Sequence, residues 1–324
     1  MAPRVPSADF AGTTQGPSAS ATAVLINPSR ISDVPSLRHA IRTALAADRW
    51  PEPLWLETTT HEPGGSQARL AVEAGVGVLF VCGGDGTVLA ALAGLTGSNV
   101  ALAILPSGTG NVLALNLGLP AGLGAGVRVA TRGARRRMDL GEVDGRPFAV
   151  ASGIGLDALM LETTPNRAKL RLGWTAYGAS VVRHLSDPQF RVAISLDGAE
   201  PFTREVHSVL VANVGRFPGG INLLPDASPF DGMLDVALIA PSRLRDWAQL
   251  LTTLVGRHAK GGGVETFRVR KVTVRTENRR PRELDGDPLP PGEDLSVRVL
   301  AGGVTVCVPA RLALSPTTPA SAGS

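Results

Sequence analysis

Two neighbouring segments each run from an apolar stretch through a glycine turn into a helix-compatible stretch. In the first, Val76 to Cys82 leads into Gly83-Gly84-Asp85-Gly86-Thr87 and then Val88 to Leu95. In the second, Val100 to Leu105 leads into Pro106-Ser107-Gly108-Thr109-Gly110-Asn111 and a further helical stretch. Buried strands joined by helices form parallel sheets, and glycine loops on adjacent parallel strands face one crevice at the carboxyl edge. Bare backbone N–H groups and the positive end of a helix suit that crevice to a phosphate. Asp85 can hold a metal ion or a polarised hydroxyl beside it, and Thr87 can cap the helix or touch the phosphate. Either loop alone could be a plain tight turn. Together they point to a nucleotide phosphate site. The chain has neither Gly-x4-Gly-Lys-Ser/Thr nor Gly-x-Gly-x-x-Gly after a strand, so the P-loop and Rossmann dinucleotide classes lack their defining residues.

From Ala23 to about Leu119 strands alternate with helices. Val24-Leu25-Ile26, Leu54-Trp55-Leu56, Val78-Leu79-Phe80 and Leu102-Ala103-Ile104 are expected strands. Helices are expected at Val34 to Ala47, Gln67 to Ala74, Val88 to Leu95 and Val112 to Leu117. After Arg137 the runs Phe190 to Leu196, Ser208 to Val214, Leu234 to Ile239, Phe267 to Arg275, Leu295 to Val299 and Val304 to Val308 predict an antiparallel sandwich, with helical inserts near Lys169 to His184 and Ser242 to His258. The fold class is therefore α/β: an N-terminal parallel-sheet nucleotide-binding domain, then an antiparallel β-sandwich. The expected divisions are a tail at 1–22, the nucleotide domain at 23–140, a β-rich substrate domain at 141–310 and a tail at 311–324.

With 44% apolar residues, 324 residues supply two cores. Residues 86–127 carry no charged side chain, yet polar breaks at 96–99 and 106–109 leave pieces shorter than the ~20 apolar residues of a membrane span. No transmembrane segment and no signal peptide are expected. Cys82 and Cys307 lie in apolar runs and read as buried reduced thiols, which suits a cytoplasmic chain. His39, His61, His184, His207 and His258 show no ligand spacing.

Further motifs follow in order: Asn27-Pro28 after the first strand, Thr58-Thr59-Thr60, the two glycine loops, Asp139-Leu140-Gly141, Gly153-Ile154-Gly155-Leu156-Asp157, Pro225-Asp226-Ala227 with Asp231-Gly232, and Asp285-Gly286-Asp287. This ordered set resembles the diacylglycerol kinase catalytic-domain lipid kinases, a family that includes sphingosine and ceramide kinases, over roughly Ala23 to Pro309.

The resemblance implies an ATP- and Mg-dependent transfer of the γ-phosphate to a hydroxyl of diacylglycerol or a related lipid, with the active site in the cleft between the domains. Asn27, Thr59, Thr60, Gly83, Gly84, Asp85, Gly86, Thr87, Val88, Leu89, Gly108, Thr109 and Asn111 are the implied nucleotide-binding residues. Asp287 stands where the family has a glutamate and is the implied general base, supported by Asp285, with Asp85 as the third catalytic acid. A separate metal site is implied at the side chain of Asp231 and the carbonyls of Ser228 and Met233, and Asp139 and Asp157 belong to an implied carboxylate and water network.

Two departures stand out: the shorter Asp287, and Leu89-Ala90 in place of the family's Asn-Glu. An NAD kinase-like or other small-molecule kinase, and a nucleotide- or lipid-binding regulator with weak turnover, are the alternative functions. The expected partner is a lipid at a membrane surface. Peripheral docking would use the basic stretch of Arg268, Arg270, Lys271, Arg275, Arg279, Arg280 and Arg282, and the net charge is +4. Arg132, Arg135, Arg136 and Arg137 form a second basic group. Aromatic-basic interleaving is missing, so nucleic acid is not expected; a homodimer is compatible with the sequence. Leu159, Met160, Trp174 and Tyr177 are candidate lipid-lining side chains.

Overall fold

The computed structural model describes residues 21–108, 110–155, 188–217, 221–243, 245–246, 249 and 263–313. Four strands, β1 (Thr22–Ile26), β2 (Leu54–Glu57), β3 (Val78–Gly83) and β4 (Ala101–Pro106), form a parallel sheet in the order β4-β3-β1-β2. Side chains alternate between its two faces, as strand geometry requires. Leu25, Leu79, Val81, Leu102 and Ile104 join one core, which α2 (Gly65–Glu73), α3 (Asp85–Leu95) and α4 (Val112–Asn116) cover. Val24, Ile26, Val78, Phe80, Ala103 and Leu105 join the other, beneath α1 (Val34–Ala47) and α5 (Leu123–Arg132). The chain leaves β1 outward to β2, then returns across it to β3 and β4, so the order reverses between β1 and β3. Such a switch point opens a ligand crevice at the carboxyl ends of the strands.

All four expected strands and α1 stand where the alternation put them. Helix α3 starts three residues before the expected Val88, so Asp85, Gly86 and Thr87 form its first turn and Gly84 alone bridges strand and helix. Helix α5 escaped the sequence reading because Gly124 and Gly126 lower its propensity. Packing overrides that loss: a Cβ at Gly126 would lie 2.6 Å from Leu105 Cδ2, so glycine brings the helix onto β4.

The second domain comprises β5 (Ala134–Val143), β6 (Arg146–Phe148), β7 (Ala151–Ile154), β8 (Phe190–Leu196), β9 (Phe202–Val206), β10 (Ser208–Ala212), the short pair β11 (Arg216–Phe217) and β12 (Ile221–Asn222), then β13 (Leu234–Ile239), β14 (Val264–Val269), β15 (Lys271–Leu284) and β16 (Asp287–Val308). Its pairings are antiparallel, and Phe148, Ile154, Val192, Ile194, Val209, Val211, Val236, Val272, Val274, Leu295 and Val297 fill its core. The expected strand Phe267 to Arg275 is two strands that meet at Arg270. The two runs at 295–299 and 304–308 are one 22-residue strand with a bulge between Leu300 and Val304.

That long strand joins the domains. Its start pairs with β15, its middle and end with β5, and Thr305 and Val306 lie parallel to Ala101 and Leu102 of β4. The end of β16 thus completes the N-terminal sheet, so the two units share strands across the expected division at 140/141. Cys82 and Cys307 are free and buried, and burial pushes their thiols up to about 12 and about 11. Among the described residues no helix is long and apolar enough to cross a membrane. Leu159, Met160, Trp174, Tyr177, Asp157, Thr109 and most of both expected helical inserts lie outside the described residues.

Candidate active site

The crevice at the switch point is assembled from three loop ends. After β1, Asn27 donates from Nδ2 to Thr87 Oγ1 at 3.0 Å and from its backbone N–H to the Cys82 carbonyl at 3.0 Å, tying the β1 end to β3 and the first turn of α3. After β3, Gly83 lies under Thr87, where a Cβ would fall 2.6 Å from Thr87 Cβ. After β4, the loop lies against the first one: a Cβ on Gly108 would sit 2.7 Å from Gly84 Cα. Glycine is required there because backbone meets backbone.

Asn111 holds the second loop in shape. Its φ of 46° is left-handed, its Oδ1 accepts from Gly108 N at 3.1 Å and its Nδ2 donates to the Gly108 carbonyl at 2.6 Å. Asp85 then binds loop to loop, because its Oδ1 accepts from Val112 N at 2.7 Å, and burial pushes its carboxyl above the usual range. Gly86 differs from these packed glycines: a Cβ there would meet nothing within 4 Å. The first intrahelical bond of α3 runs from Val88 N to the Gly84 carbonyl, so the N–H groups of Asp85, Gly86 and Thr87 precede the helical ladder. A phosphate over Gly86 would find those donors, the helix dipole and open space together.

Thr87 and Val88 are buried, while Leu89 is half-buried. Val88 belongs to the core under α3 and Leu89 packs on its edge, so these two support the turn with their side chains. Thr59 and Thr60 are exposed on the loop after β2, where Thr59 Oγ1 accepts from Glu62 N at 3.0 Å.

The second assembly is the hairpin from β15 to β16. Leu284 pairs with Asp287 across a two-residue turn, with Asp285 at φ 52° and Gly286 at φ 90°. Left-handed backbone at both central positions is the tight hairpin geometry that Asp-Gly favours. The Asp285 carboxylate faces the start of β7 and accepts from Ala149 N at 2.8 Å, Val150 N at 2.8 Å and Ala151 N at 3.0 Å. Burial pushes it up to about 6, against those three donors. Its oxygens are committed to backbone, so the geometry gives Asp285 the task of fixing the hairpin, in place of the direct support of base or cation expected from sequence. Asp287 stands exposed at the start of β16.

Glu283 is the acid that the sequence reading missed. It is 3% exposed, its Oε2 accepts from Gly286 N at 2.9 Å, and its Oε1 has no hydrogen-bond partner among the described residues. Burial first, then Asp285 and Asp287, push its carboxyl up to about 8. Its place two residues before Asp285, in the strand that leads into the turn, was the available signal. Ala149 links this hairpin to the nucleotide crevice: its side chain lies in the same core as Val88 and Leu92 of α3, while its N–H serves Asp285. Asn213, also unanticipated, donates from Nδ2 to the carbonyls of Asp139 and Ala149.

A third group surrounds Asp139. Its carboxylate accepts from Gly302 N at the bulge of β16 and from Gly232 N, both at 2.7 Å, and burial raises its pKa. Asp231 Oδ1 accepts from Met233 N at 3.0 Å, and its Oδ2 is held by Arg268. Among the described residues no three His, Cys, Asp or Glu side chains gather to hold a metal ion. Asp139 and Asp231, which the resemblance placed around a cation, are thus shared among backbone donors and a guanidinium.

Comparisons with known proteins match the chain in two successive parts, the first of which takes in β5. Residues 23–143 match the diacylglycerol kinase catalytic domain, and residues 149–313 match the YegS C-terminal NAD kinase beta sandwich-like domain. A Pseudomonas aeruginosa protein named "Probable lipid kinase YegS-like" is 32% identical over 281 residues, 83% of this chain and 90% of that one. A Bacillus subtilis diacylglycerol kinase is 29% identical over 243 residues, 71% of this chain and 79% of its own. A solved diacylglycerol kinase structure from Bacillus anthracis superimposes with a TM-score of 0.74 at 21% identity, covering 90% of this chain and 98% of that one, a likeness of fold. With both of its domains matched in order by this family's two modules, the chain belongs to the diacylglycerol kinase catalytic-domain family of lipid kinases.

Proposed function

We propose that the chain is an ATP- and Mg-dependent lipid kinase acting on a hydroxyl of diacylglycerol or a related lipid. The observation that carries the reading is the open first turn of α3 at the β1/β3 switch point, where Gly86 leaves room over backbone N–H groups that precede the helical ladder. The N–H groups of Asp85, Gly86 and Thr87 would bind the nucleotide phosphates, with Gly83, Gly84, Gly108 and the Asn111-ordered loop shaping the crevice. Asp287 is the candidate base. Its carboxylate takes the proton of the lipid hydroxyl as that oxygen bonds to the γ-phosphorus and the bond from that phosphorus to the bridging oxygen breaks, releasing ADP. Asp285 and Gly286 fix the turn that presents Asp287. Magnesium bound with the nucleotide would neutralise phosphate charge, and an ion held by phosphates, water and one or two carboxylates suits a crevice that contains Asp85.

Peripheral membrane contact is the second part of the reading. The structure narrows its basis, because Arg268 pairs with Asp231, Arg282 with Asp144 and Arg132 with Asp48, while Arg280 lies over the Phe190 ring and Arg136 over Phe230. Arg137, Arg270, Lys271 and Arg275 stay exposed and supply the charge for an anionic surface.

Transfer of labelled γ-phosphate from magnesium-ATP to a panel of lipid hydroxyls in anionic mixed micelles tests the proposal, with Asp287→Asn alongside. Labelled lipid that disappears in the variant supports class and base together. Phosphorylation of NAD in place of lipid overturns the reading, and no turnover on any acceptor favours a regulator.

A further inference from the structure

The family resemblance puts a divalent cation at Asp231, with the carbonyls of Ser228 and Met233, and the residues present do not fit that ion. Asp235 on β13 lies directly across from Arg268 on β14, a pairing that fixes the arginine backbone beside this acid. Its guanidinium reaches Asp231 Oδ2 through Nη2 and Asp235 Oδ1 through Nε, the latter at 3.8 Å. The two acid side chains are 10% and 7% exposed, while the arginine side chain that covers them keeps 40% of its surface in water. The remaining Asp231 oxygen is taken by Met233 N, and both oxygens of nearby Asp139 by Gly232 N and Gly302 N.

We propose that Arg268 occupies the position of the family's cation in this chain, as a covalently attached counter-ion for Asp231 and Asp235. A magnesium or calcium ion needs about six or more oxygen ligands, several of them anionic. Here the acids already face a positive charge, and a second cation beside the guanidinium would meet repulsion at close range. The planar fork of arginine serves two carboxylates at once, which a single ammonium would do less well. The second domain therefore folds without a metal at this place, and its stability does not follow the divalent-ion concentration.

The test reads ion binding and needs no kinase activity, so it stands or falls apart from the lipid-kinase reading. The nucleotide-free full chain is titrated with Mn2+ alone and followed by electron paramagnetic resonance, with Asp231→Asn as control. Wild type is expected to show no saturable site that the control removes. Arg268→Ala is expected to gain such a saturable site, and a melting temperature that rises with added Mg2+. Arg268→Gln, which keeps hydrogen bonding without the charge, is the second variant. Stoichiometric Mn2+ in wild type that Asp231→Asn abolishes would overturn the inference. So would Arg268 variants that gain no ion binding, or that fail to fold with Mn2+ present as well as without it.

Discussion

Asp85 Oδ1 accepts the backbone N–H of Val112 at 2.7 Å, so the acid of the first glycine turn closes the start of the helix that follows the second. One carboxylate therefore sets the spacing of both phosphate loops. Asp85→Ala should destabilise the fold by about 1–3 kcal/mol, the cost of leaving a buried donor unmet. Asp85→Asn, which retains an acceptor oxygen, should lose less. Chemical denaturation gives both values; equal stability of Asp85→Ala and wild type would show that the loops hold their spacing without the bond.

Gly108 and Gly86 separate packing from binding. Gly108→Ala places a Cβ 2.7 Å from Gly84 Cα and must push the loops apart, so it should lower stability and abolish the ATP-dependent rise in melting temperature. Gly86→Ala meets open space in a helical turn and should stabilise the apo protein by about 0.5–1 kcal/mol. It should nevertheless weaken ATP, because the methyl occupies the place proposed for phosphate. Undiminished ATP binding in Gly86→Ala would place the phosphates elsewhere.

The acid hairpin divides the same way. Asp285→Ala strands three backbone donors and should cost on the order of 3–5 kcal/mol, since a buried charge network loses its acceptor. Asp287→Asn alters an exposed side chain and should leave stability within about 0.5 kcal/mol of wild type. Lipid phosphorylation should fall about 10²–10⁴-fold in that variant if Asp287 is the base. Melting curves recorded beside the transfer assay distinguish a missing base from a damaged fold.

Glu283 predicts a pH dependence. Burial holds its carboxyl at about 8 in the folded chain, above the ordinary 4.5, so the folded state keeps a proton that the unfolded chain gives up. Between those values the folded state binds more protons, and stability falls as pH rises through the window. Glu283→Gln keeps an acceptor for Gly286 N without the charge. It should lose this part of the slope and melt several degrees above wild type near pH 8, with little difference near pH 4.5. Parallel melting profiles in the two proteins would assign the slope to another group.

Much of the first domain was legible from sequence because its information is local. A strand buried on both faces reads as a continuous apolar run, and glycine and asparagine after it mark where backbone must turn tightly or touch backbone, as at Gly84, Gly108 and Asn111. The Asp-Gly turn between β15 and β16 was legible for the same reason. The sequence could also rank Asp287 by motif.

What the acids do was decided by tertiary structure. Asp285 meets Ala149, Val150 and Ala151 from more than 130 positions away in the chain, and Arg268 meets Asp231 from 37 positions away. A carboxylate's role depends on which donors the fold brings to it and how much water it removes. Spacing along the chain carries neither. The same holds for the bulge of β16, which delivers Gly302 to Asp139, and for the return of β16 to β4, which exists only once both sheets have formed. Residue type and order by themselves determined the strands, the glycine loops and the family. Partner choice among buried charges was settled by packing, because desolvation makes an unpaired charge costly and forces each acid onto whatever donor the assembled sheets supply.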